Sequence, residues 1–95
     1  MNCLNSVILE GVFKSITTSE NQVEFVVSST RCEPAANGEK VEVITEVPCL
    51  ALHSVMESVK KNGRPGRGVR VVGHLAGPLN GSVLLVCEHI EYRGR

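Results

Sequence analysis

The residues of this chain that could ligate a metal or move a proton are four cysteines, three histidines and ten glutamates. Two groupings have the spacing to act together: Cys87-Glu88-His89 in direct succession, and Cys49 with His53 four positions later. Each offers two ligands, whereas a zinc site built from protein takes three or four. A cysteine nucleophile would need a group to orient its histidine and donors for the oxyanion. No glycine-rich catalytic turn adjoins either cysteine. There is no C-x-x-C pair, and Met1-Asn2-Cys3 leads into a strand pattern without a secretory leader. Cys3, Cys32, Cys49 and Cys87 therefore read as free thiols of a reducing, intracellular compartment, not as a disulfide framework. The expectation is a chain without catalytic residues, metal, cofactor or small-molecule substrate.

The chemistry that the sequence does concentrate is contact with phosphate. Lys60, Lys61, Arg64, Arg67 and Arg70 are half of the ten basic residues, placed within eleven positions that hold no acid. Residues 32–58 carry five glutamates against one lysine, so the net charge of zero conceals a dipolar molecule. Such a basic run is either a solvated loop or a surface that follows a phosphate backbone. Glycines 63, 66 and 68 around the arginines would let a backbone pass closely, which favours the second reading. The run NGRPGRG lacks the lysine arrangement of a nucleotide-binding loop and follows a helix where such a loop follows a strand. With Lys14 and Arg31, these five are the candidate nucleic-acid contacts, and Arg93 and Arg95 could extend the band.

These side chains need elements to position them. Ser54 and Glu57 have the spacing of a capping box, and Leu52, Val55, Met56 and Val59 share one helical face. Asn62-Gly63 ends that helix, with Lys60 and Lys61 in its last turn where cations suit the dipole. Ten residues make a short helix, so its apolar stripe must seat on something else. Residues 5–13 alternate as a strand, with Val7, Leu9, Gly11 and Phe13 on one face; residues 15–21 read as a polar loop. Ile8 and Val12 lie on the nominally wet face beside Ser6 and Glu10. Apolar residues there call for a cover, and Ser6, Ile8, Glu10 and Val12 form the candidate oligomer interface. Residues 22–31 form a second strand with Val23, Phe25 and Val27 inward, and Pro34 with Asn37-Gly38 signals a hairpin. Residues 41–52 read as a third strand in which Pro48 needs a bulge or an edge. Val69, Val71 and Leu75 form the inner face of a fourth, and residues 77–81 turn tightly into a fifth at residues 82–92. The fold class is all-β: a five-stranded OB-fold Greek-key barrel with one short helix between strands 3 and 4. It is one domain over residues 1–95, and its abrupt start at the first strand is what a domain excised from a longer protein would show. No apolar run reaches the roughly 18–20 residues of a membrane-spanning helix, so no membrane partner is expected.

Residues 5–11 (NSVILEG), the strand of residues 47–52 that leads into the helix, residues 68–75 (GVRVVGHL) and the closing IEY of residues 90–92 resemble the single-stranded DNA-binding protein (SSB) family. The likeness runs along nearly the whole chain in the right order. It implies an OB-fold, no catalysis, single-stranded RNA or DNA as ligand, and homo- or hetero-oligomers through OB-to-OB contacts at the first strand. The chain also departs from that family, whose members stack bases on several aromatics. Here there is no Trp, and strand parity assigns Phe13 and Phe25 to the core. Stacking contributes about 1–3 kcal/mol per base, so binding without it would be mostly electrostatic. The hairpin loops are short, and Arg93-Gly94-Arg95 stands where bacterial replication members carry an acidic tail. Two related groups share such features: primosomal replication protein N and the OB-fold subunits of the kinetoplastid mitochondrial RNA-editing complex (the editosome). The aspartate-free, asparagine- and serine-rich character resembles the second more. That implies RNA as favoured ligand, assembly with other OB-folds and a mitochondrial location. The alternative is a bacterial or phage single-stranded DNA-binding or primosomal protein of the cytoplasm.

Overall fold

The computed structural model of the chain describes residues 3–79 and 82–94, with the backbone alone for residues 78 and 79. Its elements in order are β1 (Val7–Thr18), β2 (Val23–Pro34), β3 (Lys40–Ala51), α1 (His53–Asn62), β4 (Gly68–Leu79) and β5 (Ser82–Arg93). The strands close in the order β1-β2-β3-β5-β4. All neighbours are antiparallel except β3 and β5, which run parallel and, among the described residues, pair only at Cys49 and Leu50. This is the OB-fold barrel that the strand pattern predicts.

The inward face follows from the alternation of apolar residues. Phe13, Val23, Phe25, Val27, Val69, Val71, Leu85 and Val59 of the helix fill the barrel at 2% exposure or less. Phe13 packs against Phe25 with ring centroids 5.4 Å apart and lies nearly parallel to Tyr92. Both phenylalanines are therefore core, as parity predicts. Val55 and Met56 join Val59 in packing the helix onto the barrel, so the apolar stripe has its seat.

Four details differ from the sequence reading. β1 does not end at residue 13: the strand bulges at Lys14 and continues against β2 to Thr18, so residues 15–18 are strand and not loop. The helix starts one residue before Ser54. Its N-cap is Leu52, without a side-chain cap, and His53 is already helical in position with φ +56°. Ser54 and Glu57 thus lie inside the first turns, where a capping box cannot form. Leu75 has inward parity and lies opposite the fully buried Leu85, yet it is 44% exposed, and paired amide bonds between Asn5 and the Leu75 backbone hold the strand there. Finally, residues 77–79 are strand, with Leu79 opposite Ser82, and the predicted turn at residues 80 and 81 lies outside the described residues.

Two sites in the barrel show why the chain bends where it does. Gly73 abuts β5 so closely that a Cβ would sit 2.0 Å from the Val86 carbonyl oxygen, and Glu88 bulges out of β5 beside it. Beyond Ser28, β2 and β3 leave the barrel as a two-stranded arm. Its tip, residues 35–39, is closed by Ala35 N–H to Glu39 O, by Gly38 N–H to Ala35 O and by Asn37 Oδ1 accepting from Glu39 N–H. Gly38 takes φ +86° there, which fulfils the Asn-Gly signal.

Candidate nucleic-acid interface

The basic segment is positioned by the end of α1 and by two main-chain bonds to β1. Phe13 N–H donates to Arg67 O at 3.0 Å and Gly66 N–H donates to Phe13 O at 2.8 Å. The loop is thus laid along β1 immediately before the Lys14 bulge. Lys60, Lys61 and Arg64 are exposed, and among the described residues none of the three is in an ion pair.

The other members of the band have different surroundings. Arg67 is half-buried: its guanidinium lies over the Tyr92 ring, and Nη1 donates to Asn62 O at 2.7 Å. Arg70 is half-buried on the outer side of β4, with Glu10 of β1 and Glu91 of β5 directly across from it. Lys14 reaches across β2 to Glu46 as an ion pair. Arg31 is exposed on the β2–β3 arm, opposite Val43. The structure therefore brings Lys60, Lys61 and Arg64 together as uncommitted cations and places Arg67 in the architecture.

A second feature was not singled out from the sequence. Across β1, β2, β3 and β5 lies a groove of about 210 Å³ whose lining includes Ser15, Thr17, Glu24, Val26, Pro48 and Leu84. Leu84 is shared with a neighbouring hollow of about 260 Å³ that includes Leu50, Ala76 and Val86. The available signal was the run of aliphatic residues at outward parity, which blurs the alternation of the third strand. Pro48 sits opposite Val26, one residue short of the contact with β5. It is at an edge, as a proline without an N–H requires.

The candidate interface residues on β1 lie along its first half, where the strand pairs with β4. Ile8 is 60% and Val12 42% exposed. Val72 lies across from Ile8, and His89 lies across from Val72 in turn. Ser6 is exposed just ahead of the strand, and Glu10 pairs with Arg93 at 3.2 Å. Among the described residues, the backbone of residues 7–11 is paired on its β4 side only.

The thiols and histidines do not converge. Cys87 points into the barrel, whereas His89 points out of it and lies 3.2 Å from Glu91. His74 is bonded to Glu88 on the surface. Burial pushes the Cys49 thiol up to about 12, with Cys87 adding to the effect, and pushes Cys87 itself up to about 11. Such thiols are neutral, poor nucleophiles. Burial also raises the Tyr92 hydroxyl, against the opposing bond to Ser58. Among the described residues, no three metal-ligating side chains gather.

No protein-family model matches the chain, and no curated protein matches it. Solved structures do. The chain is similar to the SSB of Plasmodium falciparum in its complex with single-stranded DNA, with a TM-score of 0.83 and 13% identity over 99% of this chain and 98% of that one. It is similar to the protein PriB of Ralstonia solanacearum, at 0.77 and 17% over 97% and 100%. A small single-stranded DNA-binding protein of Streptomyces coelicolor scores 0.74 at 15% identity over 98% and 96%. These likenesses establish the fold as that of SSB-family OB structures and lend the editosome resemblance no support.

Proposed function

We propose that the chain is a non-enzymatic module that binds single-stranded DNA along β1, β2 and β3 and associates with a second OB barrel through the outer face of β1. The observation that carries the first part is the juxtaposition of uncommitted cations with an apolar groove. The loop holding Arg64 is bonded to Phe13, and two residues further along β1 Ser15 begins the groove lining. Lys60, Lys61 and Arg64 would take phosphates while unstacked bases lie against Val26, Pro48 and Leu84. With both phenylalanines in the core, aliphatic contact replaces aromatic stacking. Affinity then depends mainly on counterion release and falls steeply with salt. DNA is favoured over the RNA of the sequence reading because the similar solved proteins whose names state a ligand are DNA-binding.

The test is anisotropy of labelled oligo-dT and oligo-U at low and moderate salt, with the Lys60→Ala, Lys61→Ala, Arg64→Ala triple variant alongside. Losing three phosphate contacts should lower the magnitude of the log–log salt slope by about 2 and weaken binding at every sequence. Unchanged affinity in the triple variant, or no binding to either oligonucleotide at low salt, would end the assignment. Preference for oligo-U would move it to RNA.

Association through β1 is supported by the exposed Ile8 and Val12 and by the one-sided pairing of residues 7–11. A second copy could cover the first and complete the second. An open, apolar edge is otherwise an aggregation hazard.

A further inference from the structure

Lys14 stands at the junction of the basic loop and the groove, yet in the free protein it serves neither. Phe13, just before it, makes both main-chain bonds to the loop, and Ser15, just after it, belongs to the groove lining. Lys14 is the bulged residue between them, left out of the β1–β2 register. Its ammonium pairs with the Glu46 carboxylate of β3, on the far side of β2.

Register fixes where Glu46 sits. Val26 and Pro48 stand opposite each other, and both line the groove. Two residues further toward the arm, Ser28 stands opposite Glu46. Because direction alternates along a strand, that pair shares the side of Val26 and Pro48. The Lys14–Glu46 bridge therefore crosses β2 at the arm end of the groove. Among the residues lining the groove, Glu24 alone is charged, so Lys14 is the cation placed to meet a phosphate between the loop and the groove.

Given the proposed seating of a single strand along this groove, on which this step rests, we infer that Glu46 is an internal competitor for nucleic acid. Its carboxylate occupies Lys14 in the free protein, and a phosphate of the bound strand takes its place. The exchange is feasible because the pair is open to water, with the lysine side chain 55% and the glutamate 47% exposed, and ion pairs so exposed contribute little to stability. A phosphate oxygen offers the ammonium an equivalent anionic acceptor. A strand held only by Lys60, Lys61 and Arg64 leaves the bridge closed, whereas one that enters the groove gains Lys14 and releases Glu46. Because an anion must leave Lys14 first, part of the counterion release that a free lysine would give is cancelled. Lys14 thus adds less to binding in the parent than it would beside a neutral residue 46.

The test is a double-mutant cycle on Lys14 and Glu46 in the full chain, read by anisotropy of labelled oligo-dT across a salt series. Glu46→Gln should tighten binding severalfold at low salt. It should also steepen the log–log salt slope by about 0.7, the increment of one added phosphate contact on a single strand. Lys14→Ala should weaken the Glu46→Gln protein more than it weakens the parent, so that most of the gain from Glu46→Gln vanishes without Lys14. Glu46→Ala, measured alongside, should reproduce the gain. Neither side chain belongs to the core, so urea midpoints should stay close to that of the parent. A gain of equal size with and without Lys14, or an unchanged salt slope, would mean that Glu46 acts by repulsion alone and would overturn the inference. Binding that weakens in the Lys60→Ala, Lys61→Ala, Arg64→Ala variant but ignores Glu46→Gln would overturn it too, while leaving the proposed function standing. No binding by either the parent or Glu46→Gln at low salt would overturn both.

Discussion

The guanidinium carbon of Arg67 lies 4.9 Å from the centroid of the Tyr92 ring, and Tyr92 shares a 2.8 Å hydrogen bond with Ser58. One arginine thus ties the basic loop to β5, and through the tyrosine hydroxyl to α1. A cation over an aromatic face is worth about 0.5–2 kcal/mol depending on desolvation, and the Arg67 bond to Asn62 O adds to it. Arg67→Ala should therefore lower stability by about 1–2 kcal/mol in urea unfolding. Arg64→Ala, at an exposed site, should change stability by less than about 0.5 kcal/mol yet weaken oligonucleotide binding. Equal stability of the two variants would show that the arginines are alike after all.

The outer face of β1 makes a prediction about mass. Ile8→Lys with Val12→Lys places two charges on the patch that a second barrel would cover. Light scattering after size exclusion should give a dimer or larger species for the parent and a monomer for the variant. The variant should keep its fold, since neither side chain belongs to the core. A parent that is monomeric at high concentration would remove the proposed association.

Two glycines separate steric need from backbone need. At Gly73 a Cβ would meet the Val86 carbonyl oxygen at 2.0 Å and Leu85 Cδ2 at 2.8 Å. Gly73→Ala must push β4 from β5, with an expected loss of about 3 kcal/mol or more or failure to fold. At Gly66 nothing lies within 4 Å, but φ is +88°. Gly66→Ala should cost about 1–2 kcal/mol through backbone strain alone. Urea midpoints of the two variants give the order, and the reverse order would contradict the packing of β4 on β5.

The buried thiols bear on chemistry at alkaline pH. At pH 8 a thiol reagent should react promptly with Cys3 and Cys32, which are exposed, and with Cys49 and Cys87 only after unfolding. Cys49 at about 12 and Cys87 at about 11 both stand above their ordinary value of 9.0. A group raised on folding contributes stability that is complete below its unfolded pKa and disappears as pH climbs through the folded one. Stability should therefore hold up to about pH 9 and fall from there toward pH 11–12, with the raised Tyr92 hydroxyl adding to the loss. Cys49→Val should flatten part of that fall. An unaltered alkaline profile would mean that other groups govern it.

Much of the barrel was legible residue by residue. Val23, Phe25 and Val27 alternate against Glu24 and Ser28, and that period of two is itself the statement that one face is buried. The Asn37-Gly38 turn, the stop after Asn62, and Ile8 and Val12 as outward apolar residues are likewise local chemistry. What failed needed knowledge of distant chain. Ser15 to Thr18 look like a loop because three of the four are polar, but β2 pairs with them and Ile16 packs on the core. Leu75 looks like core because it is apolar and in phase, yet it stands exposed across from the buried Leu85. Ser54 and Glu57 have the right spacing for a cap, yet where a helix begins depends on how β3 delivers the chain to it. The candidate site divides in the same way. Sequence determined that five cations cluster in eleven positions, because composition and spacing are local properties. Only the tertiary structure decided that Arg67 is committed to Tyr92 and that Lys60, Lys61 and Arg64 are not, because an arginine's role is set by what stands across from it. The groove at Pro48 and Leu84 and the Lys14–Glu46 pair across β2 are relations between strands remote in sequence, and no single stretch of the chain contains them.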